Sequence, residues 1–253
     1  MAFEAITIEI RESAGLITLD RPEKLNALSN TLANELDSAV TGFEQDDEVK
    51  AIIITGVGEK AFSAGGDIHE MSGLSEAELK ERSVRRVAQF WHWATCKKPT
   101  IAAINGLAYG GGALLSSVFD MRIGCERSSF RFLGATYGRV NSTWTLPLIV
   151  GLSVAKELLF TARVVDAEDA FRIGLLNKLV PAAELMKASL DMVKLIAGND
   201  ARVVPGIKDI LNRSVGMGFS EMYENEMHTV AASLKAPHPS ESFAGFLKRT
   251  GKH

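Results

Sequence analysis

Three consecutive glycines, Gly110 to Gly112, stand between two apolar runs in KPTIAAINGLAYGGGALLSSVFD, residues 98–120. No other stretch limits the fold as much. Ile101 to Ile104 is short, apolar and unbroken, the pattern of a buried strand, and Asn105-Gly106 ends it. Glycine loses the most backbone entropy on folding and adds nothing to packing, so three in a row need a physical reason. Close approach supplies one: a ligand lies against bare backbone while amide N–H groups at a helix start point at it. Such amides suit a neutral or partly negative oxygen as well as they suit phosphate. Tight packing of a helix against a strand is the alternative reading.

The rest of the chain alternates strands with helices. Ile6, Ile8 and Ile10 alternate with Thr7 and Glu9, and with Gly15 to Leu19 they predict a hairpin turning at Arg11, Glu12 and Ser13. Leu32, Leu36, Ala39, Val40 and Phe43 recur at helical spacing, and Ala51 to Thr55 reads as a strand. A second glycine site, Phe62 to Ile68, follows that strand, with Asp67 placed to cap the turn after it. Residues 75–95 predict a long helix opened by a Ser75/Glu78 capping box, basic in its middle at Lys80, Arg82, Arg85 and Arg86. Phe90, Trp91 and Trp93 at its end are expected to pack against other elements. Asp120 to Gly124 reads as a strand, Phe130 to Val150 as loop with short helical turns, and Ser153 to Phe160 and Asp166 to Ile173 as helices. Leu175 to Val180 is the last expected strand. Beyond Ala182 the pattern is helical, with breaks near Gly198, Pro205, Gly216 to Gly218 and Pro237 to Pro239. This order predicts an α/β core at 1–195 and a helical C-terminal region at 196–253.

Composition narrows the partners. A chain of 253 residues with net charge -3 carries no broad basic face, so nucleic acid is not expected to be its partner. Cys96 and Cys125 are the only cysteines, and neither stands in a metal or redox spacing. The alternating, acid-bearing N-terminus does not read as a signal peptide, and no apolar run is long enough for a membrane span. The expectation is a cytoplasmic protein. His92, His228, His238 and His253 show no metal spacing, so no metal is assigned.

Five segments in order resemble the crotonase superfamily, the enoyl-CoA hydratase/isomerase family: DRPEKLNALS at 20–29, AFSAGGDIHEM at 61–71, KPTIAAINGLAYGGG at 98–112, TARVVDAEDAFRIGLLNKLVP at 161–181 and SFAGFLKR at 242–249. The resemblance covers nearly the whole chain. It implies a spiral of ββα units with a helical C-terminal region that trimerises, giving a homotrimer or a dimer of trimers. An acyl-CoA thioester is the implied ligand, with coenzyme A entering as part of the substrate and no separate cofactor. The family's two oxyanion-hole amides fall on Gly66 and Gly111. Its CoA-binding pattern falls on Lys24 and Ala27 and on Ala64, Gly65, Gly66, Asp67 and Ile68. Lys248 stands where the family often supplies a basic residue to CoA bound in a neighbouring subunit.

The departures from that pattern bear on the reaction. By resemblance, the two catalytic glutamates of typical hydratases fall on Leu114 and Gly134, and the turn Gly138 to Ser142 is about three residues shorter than usual. Water addition needs a base and an acid, and leucine and glycine are neither. Candidates for proton transfer by position are Asp67, His69, Glu70, Tyr109, Tyr137, Arg139 and Asn141. Asp67 also reads as a turn residue, and the histidine that some decarboxylases of the superfamily are thought to use falls on Gly66 rather than His69. Arg139 stands where the acyl group should end, and its guanidinium suits an acyl carboxylate. Three readings follow: a hydratase or isomerase with relocated acid–base groups, a decarboxylase or thioester-cleaving enzyme on a carboxylated acyl-CoA, and an acyl-CoA-binding protein without turnover.

Overall fold

A computed structural model describes residues 3–242. Lys248, and the family-like segment beyond Ser242, lie outside the described residues. The chain divides into two compact units between Asn199 and Asp200.

The first unit is built on two sheets. Strands β1 (Ile6–Arg11), β2 (Ala14–Leu19), β3 (Ala51–Gly56), β5 (Thr100–Ile104), β7 (Met121–Gly124) and β9 (Lys178–Leu179) form a six-stranded sheet in that spatial order. Strands β4 (Ala61–Ser63), β6 (Leu107–Tyr109) and β8 (Ser129–Arg131) form a second sheet of three. Among the described residues the β1–β2 hairpin is antiparallel and the other strand-to-strand pairings are parallel, with one isolated antiparallel bridge between Phe130 and Val165. The chain thus places one strand in the large sheet and the next in the small one, three times over: β3 then β4, β5 then β6, β7 then β8. That repeated step is the expected spiral.

Parallel strands covered on both faces need apolar residues at successive positions rather than at alternate ones. This explains Ala51 to Ile54, all fully buried. Ile52 and Ile54 face the main core with Phe62, Ala108 and Phe130, while Ile53 faces a second layer with Leu185, Leu190 and Val193. Those last three lie on α8 (Leu185–Ala197). The N-terminal hairpin is the exception. Ile6 is buried, but Ile8 and Ile10 are each 44% exposed on the sheet's edge strand, contrary to a simple alternating pattern. Glu12 and Ser13 take left-handed φ values of 49° and 65° at the turn, which matches the twist of the two strands it joins.

Helix α1 (Asn30–Gln45) starts at Ser29, whose Oγ accepts from the Leu32 N–H, and it buries Leu32, Leu36, Ala39, Val40 and Phe43 as the spacing predicts. A short helix, α2 (Ile68–Ser72), precedes α3 (Glu76–Thr95), whose capping box is formed by Ser75 and Glu78. The aromatic end of α3 divides: Trp93 is buried edge-on to Phe90, whereas Trp91 is 62% exposed. α4 (Gly111–Val118) follows the triple glycine, and α5 (Leu146–Val150), α6 (Leu152–Thr161) and α7 (Ala167–Arg172) lead to β9.

Three sequence expectations change. The three-residue strands β6 and β8 are too short to carry a period of their own. The strand expected at Leu175 to Val180 shrinks to Lys178–Leu179, because Leu175 and Leu176 turn into the main core instead of joining the ladder. In the second unit, Pro205 does not break a helix. It lies in the first turn of α9 (Val203–Arg213), where no intrahelical N–H bond is lost. α10 (Phe219–Ser233) and α11 (Pro239–Ser242) follow within the described part of that unit.

Candidate functional site

The two glycine segments meet. Gly65 follows β4 with φ +98°, and a Cβ there would stand 2.7 Å from both the Gly111 nitrogen and the Tyr109 oxygen. Its carbonyl accepts from the Leu28 N–H at 2.7 Å, and Leu28 bridges to Gly66 as a short parallel pair. Ser63 secures the turn: its Oγ donates to the Asn26 carbonyl at 2.8 Å and accepts from the Gly65 N–H at 3.2 Å. Each of the three glycines has its own task. Gly110 turns the chain at φ +51°, and Gly112 packs α4 onto β4, where a Cβ would stand 2.0 Å from the Ser63 oxygen. Gly111 opens α4, and a Cβ on it would lie 3.2 Å from the Gly66 nitrogen. Close packing therefore explains Gly112, and close approach of two backbones explains Gly111. Among the described residues neither the Gly66 nor the Gly111 N–H donates a hydrogen bond.

Asp67 holds the loop from behind. Its Oδ1 accepts from the Glu70 N–H at 3.1 Å, capping α2, and its Oδ2 pairs with Arg21 at 3.0 Å. Burial pushes the Asp67 carboxyl up, but the Glu70 N–H, the Arg21 pair and the charge of Lys24 together leave it below its ordinary value. Arg21 also donates to the Ala27 carbonyl at 2.8 Å, tying the segment that carries Lys24 and Ala27 to the glycine loop. Asp67 is thus a structural anchor, fully engaged. Both oxygens of Glu70 accept from the Asn30 N–H at the start of α1, at 3.1 and 3.0 Å.

A cavity of about 920 Å³ opens over this junction. Gly66 and Gly111 line it, as do Lys24, Ala27, Ala64, Asp67, Ile68, His69, Tyr137, Arg139 and Asn141. The structure therefore gathers into one pocket every candidate site residue except Gly65, which shapes the turn behind the wall, and Lys248, outside the described residues. Glu70 and Tyr109, the further proton-transfer candidates, do not line it; the Tyr109 hydroxyl lies 3.5 Å from the Ser129 Oγ. Lys24, His69, Tyr137 and Arg139 are exposed at the pocket's rim, while Asn141 is half-buried. The Asn141 Oδ1 is buried without a hydrogen-bond partner among the described residues, and so is the Ser142 Oγ beside it.

The two positions that the resemblance assigns to catalytic carboxylates carry none. Leu114, half-buried on α4, packs against the main core. Gly134 lines the pocket, and a Cβ on it would stand 2.8 Å from the Arg139 oxygen and 3.1 Å from the Asn141 Oδ1. The loop has closed over the space a longer side chain would need. Sequence reasoning passed over Arg82 and Arg86, which line the same pocket from α3. Their i, i+4 spacing placed them on one face of the helix, but nothing in the sequence said which face meets the cavity. Among the described residues, no cluster of metal-ligating side chains occurs and no helix is long and apolar enough to cross a membrane.

Known proteins share this arrangement of chain. A family model described as enoyl-CoA hydratase/isomerase matches residues 9–252. The short-chain-enoyl-CoA hydratase of Clostridium acetobutylicum is 32% identical over 98% of this chain and 97% of its own. The crotonyl-CoA hydratase of Syntrophomonas wolfei is 42% identical over 78% of this chain and 76% of its own. In three dimensions, the enoyl-CoA hydratase of Bacillus anthracis superposes with a TM-score of 0.91 at 28% identity, covering 97% of each chain. With the two-sheet spiral and the paired glycine turns already in place, the match across nearly the whole sequence establishes that this chain belongs to the enoyl-CoA hydratase/isomerase family.

Proposed function

We propose that the pocket takes an acyl-CoA thioester whose carbonyl oxygen lies between the N–H groups of Gly66 and Gly111. The observation that carries this reading is the meeting of Gly111, in the first turn of α4, with the amide of Gly66. Negative charge collects on a thioester oxygen when a proton leaves the adjacent carbon. It also does so when water adds across a conjugated double bond, or when carbon dioxide departs from a malonyl end. Two fixed donors, one at the positive end of a helix, stabilise that enolate more than the ground-state carbonyl. Family membership and the names of the hydratase relatives support an acyl-CoA substrate with coenzyme A as part of it. Lys24 at the rim suits the nucleotide end, and Ala27 and Ala64 to Ile68 suit the pantetheine path. A homotrimer or a dimer of trimers, with the C-terminal region at the interface and Lys248 reaching CoA in a neighbouring subunit, belongs to the same reading.

A second reading concerns the reaction. Neither Leu114 nor Gly134 can move a proton, and Arg139 lines the pocket. Together they favour decarboxylation or thioester cleavage of a carboxylated acyl-CoA over orthodox hydration. Loss of carbon dioxide needs orientation and enolate stabilisation but no strong base in its first step. His69, Tyr137 and Asn141 are the polar groups at hand to orient a water or deliver a proton.

Purified protein offered crotonyl-, 3-enoyl-, malonyl- and methylmalonyl-CoA, with products followed by mass spectrometry, separates these readings. Rapid crotonyl-CoA hydration supports the hydratase and assigns the lost carboxylates' work to another residue. Carbon dioxide release from a malonyl-type thioester supports the second reading. Tight binding without turnover makes the protein a binder, and no binding at all overturns the proposal.

A further inference from the structure

Arg82 and Arg86 project from one face of α3 into the pocket wall. Each uses one nitrogen structurally. The Arg82 Nη2 donates to the Leu28 carbonyl at 3.3 Å, and the Arg86 Nη2 donates to the Ser29 carbonyl at 3.2 Å. Their other nitrogens are not all accommodated: the Arg82 Nε and the Arg86 Nη1 are buried with no hydrogen-bond partner among the described residues. A buried, unpaired guanidinium N–H costs free energy unless something else accepts from it.

Elsewhere the same fold treats a buried arginine differently. Arg122 is 3% exposed, and its guanidinium donates to the carbonyls of Leu175, Ser116, Phe119 and Asp120. Arg122 is a structural arginine with its guanidinium bonded to the protein on every side, in contrast to Arg82 and Arg86 at the pocket.

Charge points the same way. Burial, then the neighbouring charge of Arg82, pushes the Arg86 guanidinium down to about 10; burial also lowers Arg82, with the charge of Arg139 adding to that, and the Glu70 carboxylate offsets part of the fall at both. The acids nearby offset this only in part: Asp67 is paired with Arg21, and Glu70, held by the Asn30 N–H, acts on both arginines through its charge without forming an ion pair with either. Among the described residues, none of Arg82, Arg86 and Arg139 makes an ion pair. Three like charges around one cavity are mutually destabilising, and an anion in that cavity relieves the repulsion.

We infer that Arg82 and Arg86 form a carboxylate-binding subsite, and that the substrate is an acyl-CoA whose short acyl group ends in a carboxylate. The inference rests on the acyl-CoA reading above and assigns the acyl end of that site. Leu28 and Ser29, which hold the two guanidiniums, adjoin the Leu28–Gly66 bridge, so the subsite shares a wall with the proposed oxyanion amide. That placement favours a short diacid thioester over a long fatty acyl chain. The planar fork of arginine suits a carboxylate's two oxygens, which a lysine's single ammonium does not.

Calorimetric affinities for chain-matched pairs test this: malonyl- against propionyl-CoA, succinyl- against butyryl-CoA, and glutaryl- against valeryl-CoA. In the wild type at least one diacid thioester is expected to bind tenfold or more tightly than its neutral partner. In Arg82→Gln/Arg86→Gln that ratio is expected to fall to about one, and in Arg86→Lys to an intermediate value. Equal affinities within every wild-type pair overturn the subsite while leaving the acyl-CoA reading standing, and this outcome needs no variant to fold. A preference that persists in the double variant overturns the assignment to these two arginines. Failure of every thioester to bind overturns the acyl-CoA reading itself and the subsite with it.

Discussion

Gly66 and Gly111 approach so closely that a Cβ on Gly111 would stand 3.2 Å from the Gly66 nitrogen. The two residues are far apart in sequence and lie on successive turns of the spiral, one after β4 and the other after β6. Parallel pairing of those strands, Ser63 against Ala108, is what delivers both amides to one point. Any side chain at 111 crowds that junction, and any loss of its N–H removes a donor from it.

Gly111→Pro tests the donor when it is read against Gly111→Ala, which adds a Cβ at the same crowded point but keeps the N–H. Proline is favoured in the first turn of a helix, so α4 is expected to form while the N–H disappears. Turnover of whichever acyl-CoA proves to be the substrate is expected to fall by about 10²–10³-fold in kcat below that of Gly111→Ala, the usual effect of losing one oxyanion donor. Steady-state kinetics read the fall, and circular dichroism confirms that the helix is intact. An unchanged kcat would remove Gly111 from the mechanism.

Placing a carboxylate at Gly134 is expected to destabilise the protein rather than to improve it. The Arg139 oxygen lies 2.8 Å from where a Cβ would stand, and backbone there must move before any side chain fits. Gly134→Ala is expected to cost about 1–3 kcal/mol, the range for overpacking, read as a lowered urea midpoint. Gly134→Glu should cost at least as much and gain no crotonyl-CoA hydration.

The pair of Asp67 with Arg21 makes part of the stability depend on pH. The Asp67 carboxyl sits below its ordinary value in the fold, so its contribution is complete above the unfolded carboxylate pKa of about 3.9. That contribution fades as pH falls through the lower folded value. Asp67→Asn is therefore expected to be less stable than wild type at pH 7, and the gap should narrow on acidification below the ordinary range. Urea unfolding of both proteins across pH checks the sign; a gap that widens in acid would contradict it.

Arg122 is expected to be needed for folding and not for chemistry. Arg122→Met leaves the carbonyls of Leu175, Ser116 and Phe119 without their donor, at a cost on the order of 3 kcal/mol. Arg122→Lys should rescue little, since one ammonium cannot reach carbonyls spread around a planar fork. Thermal unfolding of the two variants measures both effects.

Local chemistry was legible in the sequence. Ser29, Asp67, Ser75 and Asp166 each cap the helix that follows them, because a cap depends only on residues two or three positions away. The unbroken apolar runs at Ala51 and Ile101 announced strands covered on both faces, and the glycines announced close backbone approach. Family resemblance then placed Gly66 and Gly111 together, as spacing alone does not.

Tertiary structure decided the rest. β6 and β8 hold only three residues each, too few for a period, and exist because neighbouring strands complete their hydrogen bonds. Leu175 and Leu176 look like strand residues but are drawn into the core, which outweighs their local preference. Arg82 and Arg86 read only as two members of the basic middle of a helix, and Gly134 as the position where the resemblance expects a glutamate, with nothing to say what fills that space. Only packing α3 against the start of α1, and folding the 138–142 turn back over Gly134, turns them into the wall of a pocket. A sequence records how residues are spaced along one element. Which face of that element meets a cavity depends on contacts made by residues far away in the chain.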